Sequence, residues 1–168
     1  MKRFLGLCVA MLLLCACQKD ETRVAVDEAR YLGMIELIES CDAFLPGSNN
    51  FDIHTEMAKT DEGYRYYVVI DNPRSALYDV EAIVLVDGVD HEENMAASIG
   101  LFEETEYSLI PNQTNPDKGY VAGIVMSGSS EAKDLKLSVL VQWKNSERTL
   151  TNKEFFRLET SYEEEHEQ

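Results

Sequence analysis

Apolar residues recur at every third or fourth position between Val26 and Leu45, and this spacing predicts an amphipathic helix over residues 25–46. The apolar stripe consists of Tyr31, Met34, Ile35, Ile38, Cys41 and Leu45. Charged residues fill the opposite side, and Pro46-Gly47 ends the element. The stripe packs either on the protein's own sheet or on a partner. We favour the first, because the stripe is too short and irregular for a coiled coil.

Beyond residue 50 the pattern changes to short runs of alternating apolar and polar residues separated by turn residues. The predicted strands are Phe51–Lys59, Tyr64–Asp71, Leu77–Asp87, Met95–Phe102, Tyr107–Ile110, Tyr120–Met126, Leu135–Trp143 and Arg148–Leu158. The third run is apolar on both faces at its centre, which predicts a position inside a sheet. The run from Leu135 to Trp143 alternates cleanly, so one of its faces is expected in the core.

Short strands without intervening helices predict a mainly β fold, an antiparallel sandwich of seven to eight strands, and exclude a parallel α/β sheet. We place this domain at residues 51–159, followed by an acidic tail at 160–168. The single N-terminal helix is expected to cap the sandwich from outside and to contribute less to stability than the central strands.

Four segments of the β region carry a family resemblance. They are Val69-Ile70-Asp71-Asn72, Leu77-Tyr78-Asp79-Val80, Leu109-Ile110-Pro111 and Gly119-Tyr120-Val121-Ala122-Gly123. Their layout resembles that of bacterial immunoglobulin-like lipoprotein domains, over about Phe51 to Lys144. The resemblance implies an immunoglobulin-like sandwich in a cell-envelope module and implies no binding residue. The paired cysteines of antibody domains are missing from this sequence.

Residues 1–16 have the pattern of an export signal, in which Lys2 and Arg3 precede a weakly polar run from Phe4 to Ala16. This run is too short to cross a bilayer, which takes about 20 apolar residues. It ends in Leu14-Cys15-Ala16-Cys17, which resembles the lipobox of bacterial lipoproteins. The resemblance implies cleavage before Cys17, a diacylglyceryl thioether on its sulfur and often a further acyl chain on its amine. Residues 17–24 are then a short tether.

Charge and cysteine content narrow the location and the partners. The chain has 31 acidic and 15 basic residues, with no basic cluster, which excludes nucleic-acid binding. After cleavage only Cys41 remains as a free thiol, so no intrachain disulfide forms. We expect an exported domain held by its lipid on the outer side of the cytoplasmic membrane or at the outer membrane. Gln18, in place of a retention aspartate, favours the outer membrane in a two-membrane cell.

Candidate binding residues are few. The histidines at positions 54, 91 and 166 have no catalytic or metal-binding spacing. Closely spaced oxygen ligands on a loop are typical of calcium sites, but the spacing here is not that of an EF-hand, so we prefer a solvated acidic turn. The residues concerned are Asp87, Asp90, Glu92 and Glu93.

A second candidate is an aromatic platform for a glycan or a peptide, made of Tyr64, Tyr66 and Tyr67. Tyrosines also fill strand interiors, and we prefer packing for this group.

The expected function is that of a non-enzymatic, lipid-anchored envelope protein whose domain binds another envelope protein or a cell-wall component, without a cofactor. A lipoprotein that binds a small ligand or a glycan is the alternative, and an enzyme of unrecognised type is a third. A deep pocket with converging polar groups would favour ligand binding or catalysis, and an exposed apolar or tyrosine patch would favour protein contact.

Replacing the cysteine that accepts the lipid tests the anchor. Cys17→Ala should abolish incorporation of a fatty-acid analogue in growing cells and leave uncleaved precursor, because the acceptor sulfur is gone. Cys41→Ala is the matched control and should label like the wild type. Label that persists on the Cys17→Ala protein would contradict the lipoprotein hypothesis.

Overall fold

The computed structural model describes residues 23–91 and 93–164. Within them the chain forms a helix, α1 (residues 23–39), a 3-10 turn at Pro116–Lys118 and seven strands. The strands are β1 (Asp52–Thr60), β2 (Gly63–Asp71), β3 (Tyr78–Val86), β4 (Ala97–Ile99), β5 (Gly123–Ser130), β6 (Asp134–Lys144) and β7 (Thr151–Ser161). In this part of the chain no helix is both long and apolar enough to cross a membrane.

The strands form two antiparallel sheets, one with the order β1-β2-β5 and one with the order β4-β3-β6-β7. The prediction of a mainly β fold with antiparallel sheets is confirmed. Both the third and the sixth strand lie inside the four-stranded sheet, as their sequence patterns predict.

The inner faces of the two sheets meet in one hydrophobic core. The strands contribute alternate residues to this core, since every second side chain of a strand points to the same face. The core positions of β6 are Leu135, Leu137, Val139, Val141 and Trp143, as predicted. Phe51 lies at the end of this core, edge-on to Trp143 and Phe156.

A second core lies on the other side of the four-stranded sheet, under α1. The buried helix residues are Tyr31, Met34, Ile35 and Ile38. They pack on Ile83, Leu85 and Leu140, which point away from the first core. The stripe thus packs on the protein's own sheet, as we favoured. Because this face is fully buried, the helix is a third packing layer and not the minor cap expected from the sequence.

The helix is shorter than predicted. It ends at residue 39, so Cys41 and Leu45 do not continue its stripe, and it includes residues 23–24 of the predicted tether. Proline disfavours helical conformation in the residue directly before it, so Pro46 disfavours a helix at Leu45. The Leu45 amide instead donates to the Phe155 carbonyl of β7 at 2.8 Å. Pairing with an edge strand replaces the last turns of the helix.

Several strand boundaries also differ from the prediction. The segment Tyr107–Ile110 makes only isolated bridges, so the described residues form seven strands, within the predicted seven to eight. Strand β4 has only three residues. Strand β5 runs through the predicted break at Gly128. A Cβ atom at that position would lie 2.5 Å from the Tyr66 hydroxyl, so the glycine makes room for this ring. Strand β7 extends to Ser161, into the predicted tail.

The two cores should contribute comparably to stability. Leu137→Ala and Ile35→Ala should each cost about 2 to 4 kcal/mol, because each leaves a cavity among buried side chains. Leu137 is 0% and Ile35 4% exposed. Chemical denaturation of the chain from Gln18 onward measures both.

Leu150→Ala is the control for these variants, at an exposed position where the cost should stay within about 0.5 kcal/mol. A loss for Ile35→Ala as small as that of the control would mean that the helix is dispensable.

Candidate binding surfaces

The structure does not bring most of the candidate site residues from the sequence analysis together in one site. Cys17, Glu92 and His166 lie outside the described residues. Among the residues described, no group of three or more His, Cys, Asp or Glu side chains is arranged to hold a metal ion. The loop carboxylate of Asp90 accepts a hydrogen bond from the Glu93 amide at 3.3 Å, which is a turn contact.

The acidic loop is organised by His91, a residue to which the sequence assigns no role. Its Nε2 accepts a hydrogen bond from the Val86 amide at 2.8 Å, so the proton lies on Nδ1, which donates to the Asn94 carbonyl at 3.1 Å. The Tyr31 hydroxyl of α1 donates to the His91 carbonyl at 3.0 Å and accepts from the Ala96 amide at 2.7 Å. These bonds fasten the loop to the helix.

The three candidate tyrosines do not share a surface. Tyr66 points into the core between the sheets, and burial raises the pKa of its hydroxyl. Tyr64 packs against Tyr162, with ring centroids 5.5 Å apart. Tyr67 is neither fully buried nor on the same face as Tyr66, because neighbouring residues of a strand point in opposite directions.

An apolar groove of about 690 Å³ lies between the first turns of α1 and the loops on either side of β4. Its walls include the exposed side chains of Val24, Leu32, Met95 and Phe102. The Tyr31 ring lies at its base, 5.7 Å from the Phe102 ring. The carboxylates around it belong to Asp27, Glu28, Glu93 and Glu104, and the one cation to Arg23.

A polar cleft of about 470 Å³ adjoins the groove and shares Arg23, Asp27 and Glu104 with it. Its charges are paired with one another. Arg23 binds Glu104 at 3.0 Å, and Arg30 pairs with Glu81 of β3. The cleft is therefore a seam of ion pairs between α1 and the sheet.

The most buried carboxylate of this cleft is Asp79, which is 8% exposed. Its oxygens lie 3.1 Å from the Lys144 amine and 3.4 Å from the Arg148 guanidinium. Its φ of 47° lies in the left-handed region, at a register irregularity of β3 between Tyr78 and Glu81. Asp79 thus ties β3 to the end of β6 and to the turn after it.

The four sheet edges differ in how they are protected against pairing with another chain. Strand β4 has only three residues, and β1 carries charged side chains. Strand β7 is also charged and pairs with Leu45. Strand β5 has eight residues (Gly-Ile-Val-Met-Ser-Gly-Ser-Ser), none of them charged. Short length, charge and coverage are the usual protections of an edge. Strand β5 is neither short nor charged, and β4, which lies near it, pairs with β3 and not with β5.

No protein-family model, no curated protein and no solved structure matches the chain. Its function is therefore argued from these surfaces.

Asp79 should be replaceable by asparagine at lower cost than by alanine. Asparagine tolerates the left-handed backbone but loses the ion pairs, so Asp79→Asn should cost about 1 kcal/mol. Alanine adds backbone strain, and Asp79→Ala should cost about 2 kcal/mol or more. Urea denaturation measures both values. Equal losses would mean that the backbone conformation contributes nothing at this site.

Proposed function

We propose that the protein is a non-enzymatic, lipid-anchored envelope protein that binds a partner protein by adding an extended segment of that partner to the open edge of β5. The observation that carries this proposal is the absence of any charged residue along β5. Strand addition supplies affinity through main-chain hydrogen bonds, and it needs an edge that is left open.

The composition of the chain makes this neutral edge informative. The protein has 31 acidic residues, and each of the other long edge strands carries two of them, Asp52 and Glu56 in β1 and Glu154 and Glu159 in β7. Val125 of β5 is 58% exposed and faces outward beside Ser127 and Ser129. In the described part of the chain, no backbone hydrogen bond joins the outer edge of β5 to another segment.

We further propose that the two sheets form an immunoglobulin-like sandwich. The strand order supports this, since the first, second and fifth strands form one sheet and the third, sixth and seventh belong to the other. This division matches strands A, B, E and C, F, G of immunoglobulin domains. The fourth strand pairs with β3 here and not with β5, and this leaves the edge of β5 free.

A non-catalytic role is supported by the way the buried titratable groups are used. Both ring nitrogens of His91 bind backbone atoms, those of Val86 at the end of β3 and of Asn94 in the loop. Asp79 lies between two cations. Each of these side chains therefore already has a structural partner.

The anchor in this proposal is the lipid on Cys17, in the outer membrane or on the outer side of the cytoplasmic membrane. Cys17 lies six positions before Arg23, where the described part of α1 begins, and an extended chain of that length spans about 20 Å. The domain would stay close to the membrane, where its partner is another envelope protein or a cell-wall component.

The apolar groove favours a second candidate function, that of a small-ligand-binding lipoprotein. Its volume of about 690 Å³ lies within the range of small-molecule pockets. The Tyr31 hydroxyl at its base already binds the His91 carbonyl and the Ala96 amide, so the groove offers little to orient a polar ligand.

Photo-crosslinking in intact cells tests the edge proposal. A photoreactive residue at Ser127 or Ser129 should crosslink an exported partner through an extended segment of that partner, whereas one at exposed Ala58 of β1 should not. Val125→Lys should reduce the Ser127 crosslink about tenfold, because charge on an edge strand opposes pairing. Ala58→Lys is the matched control and should leave it unchanged. Equal crosslinking from β1 and β5 would contradict the proposal.

A further inference from the structure

The exposed apolar residues around α1 are gathered in one place. Val24, Leu32, Met95 and Phe102 come from the helix and from the loops on either side of β4, and all four line the apolar groove. Met95 is the most exposed of them, at 69%. Exposed apolar side chains that occur singly are ordinary on a protein surface, whereas a continuous group of them marks a binding site.

We propose that this groove holds one acyl chain of the lipid on Cys17, with residues 17–22 leading from the lipidated cysteine to the mouth of the groove at Arg23 and Val24. The inference rests on the proposed lipidation of Cys17 and adds the position of one of its chains.

The reach of the chain fits this occupant. Arg23 and Val24, where the described part of the chain begins, line the groove. Cys17 lies six residues before Arg23, and that distance along the chain covers up to about 20 Å. No other segment is needed to bring the lipid to the groove.

The size of the groove fits one acyl chain. A methylene group is about the size of a water molecule and takes up about 30 Å³, so an acyl chain of about 16 carbons fills about 480 Å³. The groove offers about 690 Å³, which is room for one such chain. A lipidated cysteine with three acyl chains would keep two in the bilayer, and two suffice for stable anchoring.

The base of the groove favours hydrocarbon over a peptide. The Tyr31 hydroxyl is the polar group nearest the base, and both the His91 carbonyl and the Ala96 amide already bind it. The His91 ring has backbone partners at both nitrogens. A peptide laid here would bury backbone groups without partners, which is costly, whereas an acyl chain has none.

The charges at the rim favour the protein's own lipid over a free one. Four carboxylates surround the groove, those of Asp27, Glu28, Glu93 and Glu104. The single cation, Arg23, is already paired with Glu104 and Asp27. A fatty acid or an anionic phospholipid would bring a further negative charge to this rim, whereas the glyceryl thioether on a cysteine is uncharged.

The test uses the full-length protein in cells fed a fatty acid that carries a diazirine and an alkyne. The mature protein is irradiated, digested, and searched by mass spectrometry for peptides joined through the lipid on Cys17. Crosslinks from Cys17 to peptides that contain Leu32, Met95 or Phe102 are expected. Met95→Lys and Leu32→Lys should each lower their yield about tenfold, because an ammonium group is poorly tolerated beside buried hydrocarbon. Leu150→Lys is the matched exposed control and should not change it.

The other outcomes separate the two proposals. A labelled Cys17 whose lipid crosslinks only to detergent or bilayer lipid overturns the groove and leaves the lipid anchor standing. A chain without label at Cys17 overturns both. If the groove peptides are crosslinked to a phospholipid without the Cys17 peptide, the site belongs to free lipid. If they are crosslinked to another protein, the site belongs to a partner. Crosslinks between isotopically heavy and light copies assign the groove to the lipid of a second molecule, and each of these three results overturns the proposal.

Discussion

Leu140 of β6 packs under α1, while its neighbours Val139 and Val141 point into the core between the two sheets. A single strand thus supplies both hydrophobic cores, and β3 does the same through Ile83 and Val84. The rest of the structure depends on this double burial. Without α1, one face of the four-stranded sheet would expose its apolar side chains to water; without the β1-β2-β5 sheet, the other face would. The helix and the smaller sheet are therefore equally necessary layers.

Features that depend on local alternation could be predicted from the sequence. The five core residues of β6 and the two-sided apolar centre of β3 follow from spacing alone, and so does the stripe from Tyr31 to Ile38. Features that depend on a distant neighbour could not. Gly128 looks like a strand break until Tyr66 lies across from it. The spacing of Leu45 fits the helical stripe, but in the structure this residue pairs with β7.

The candidate surfaces show the same division. The neutral composition of β5 is visible in the sequence, but its edge position follows only from the pairing of β4 with β3. The four groove residues are spread between Val24 and Phe102 and have no common spacing, so only the fold brings them together. The ion pair of Asp79 with Lys144 is equally long-range. The ring of His91 binds only the nearby Val86 and Asn94, but no motif spacing identifies it either.

The attachment of α1 has a mechanical consequence. If the chain is held at Cys17, any pull on the domain enters the structure through residue 23 and loads the helix first. The helix is held by side-chain packing and ion pairs, whereas the strands are joined by continuous ladders of backbone hydrogen bonds. Under tension it would detach and unwind before the sheets separate. When residues 23–39 are extended, the connection to the membrane lengthens by about 30 Å or more. Unwinding of the helix would therefore relieve the tension while the two sheets stay folded.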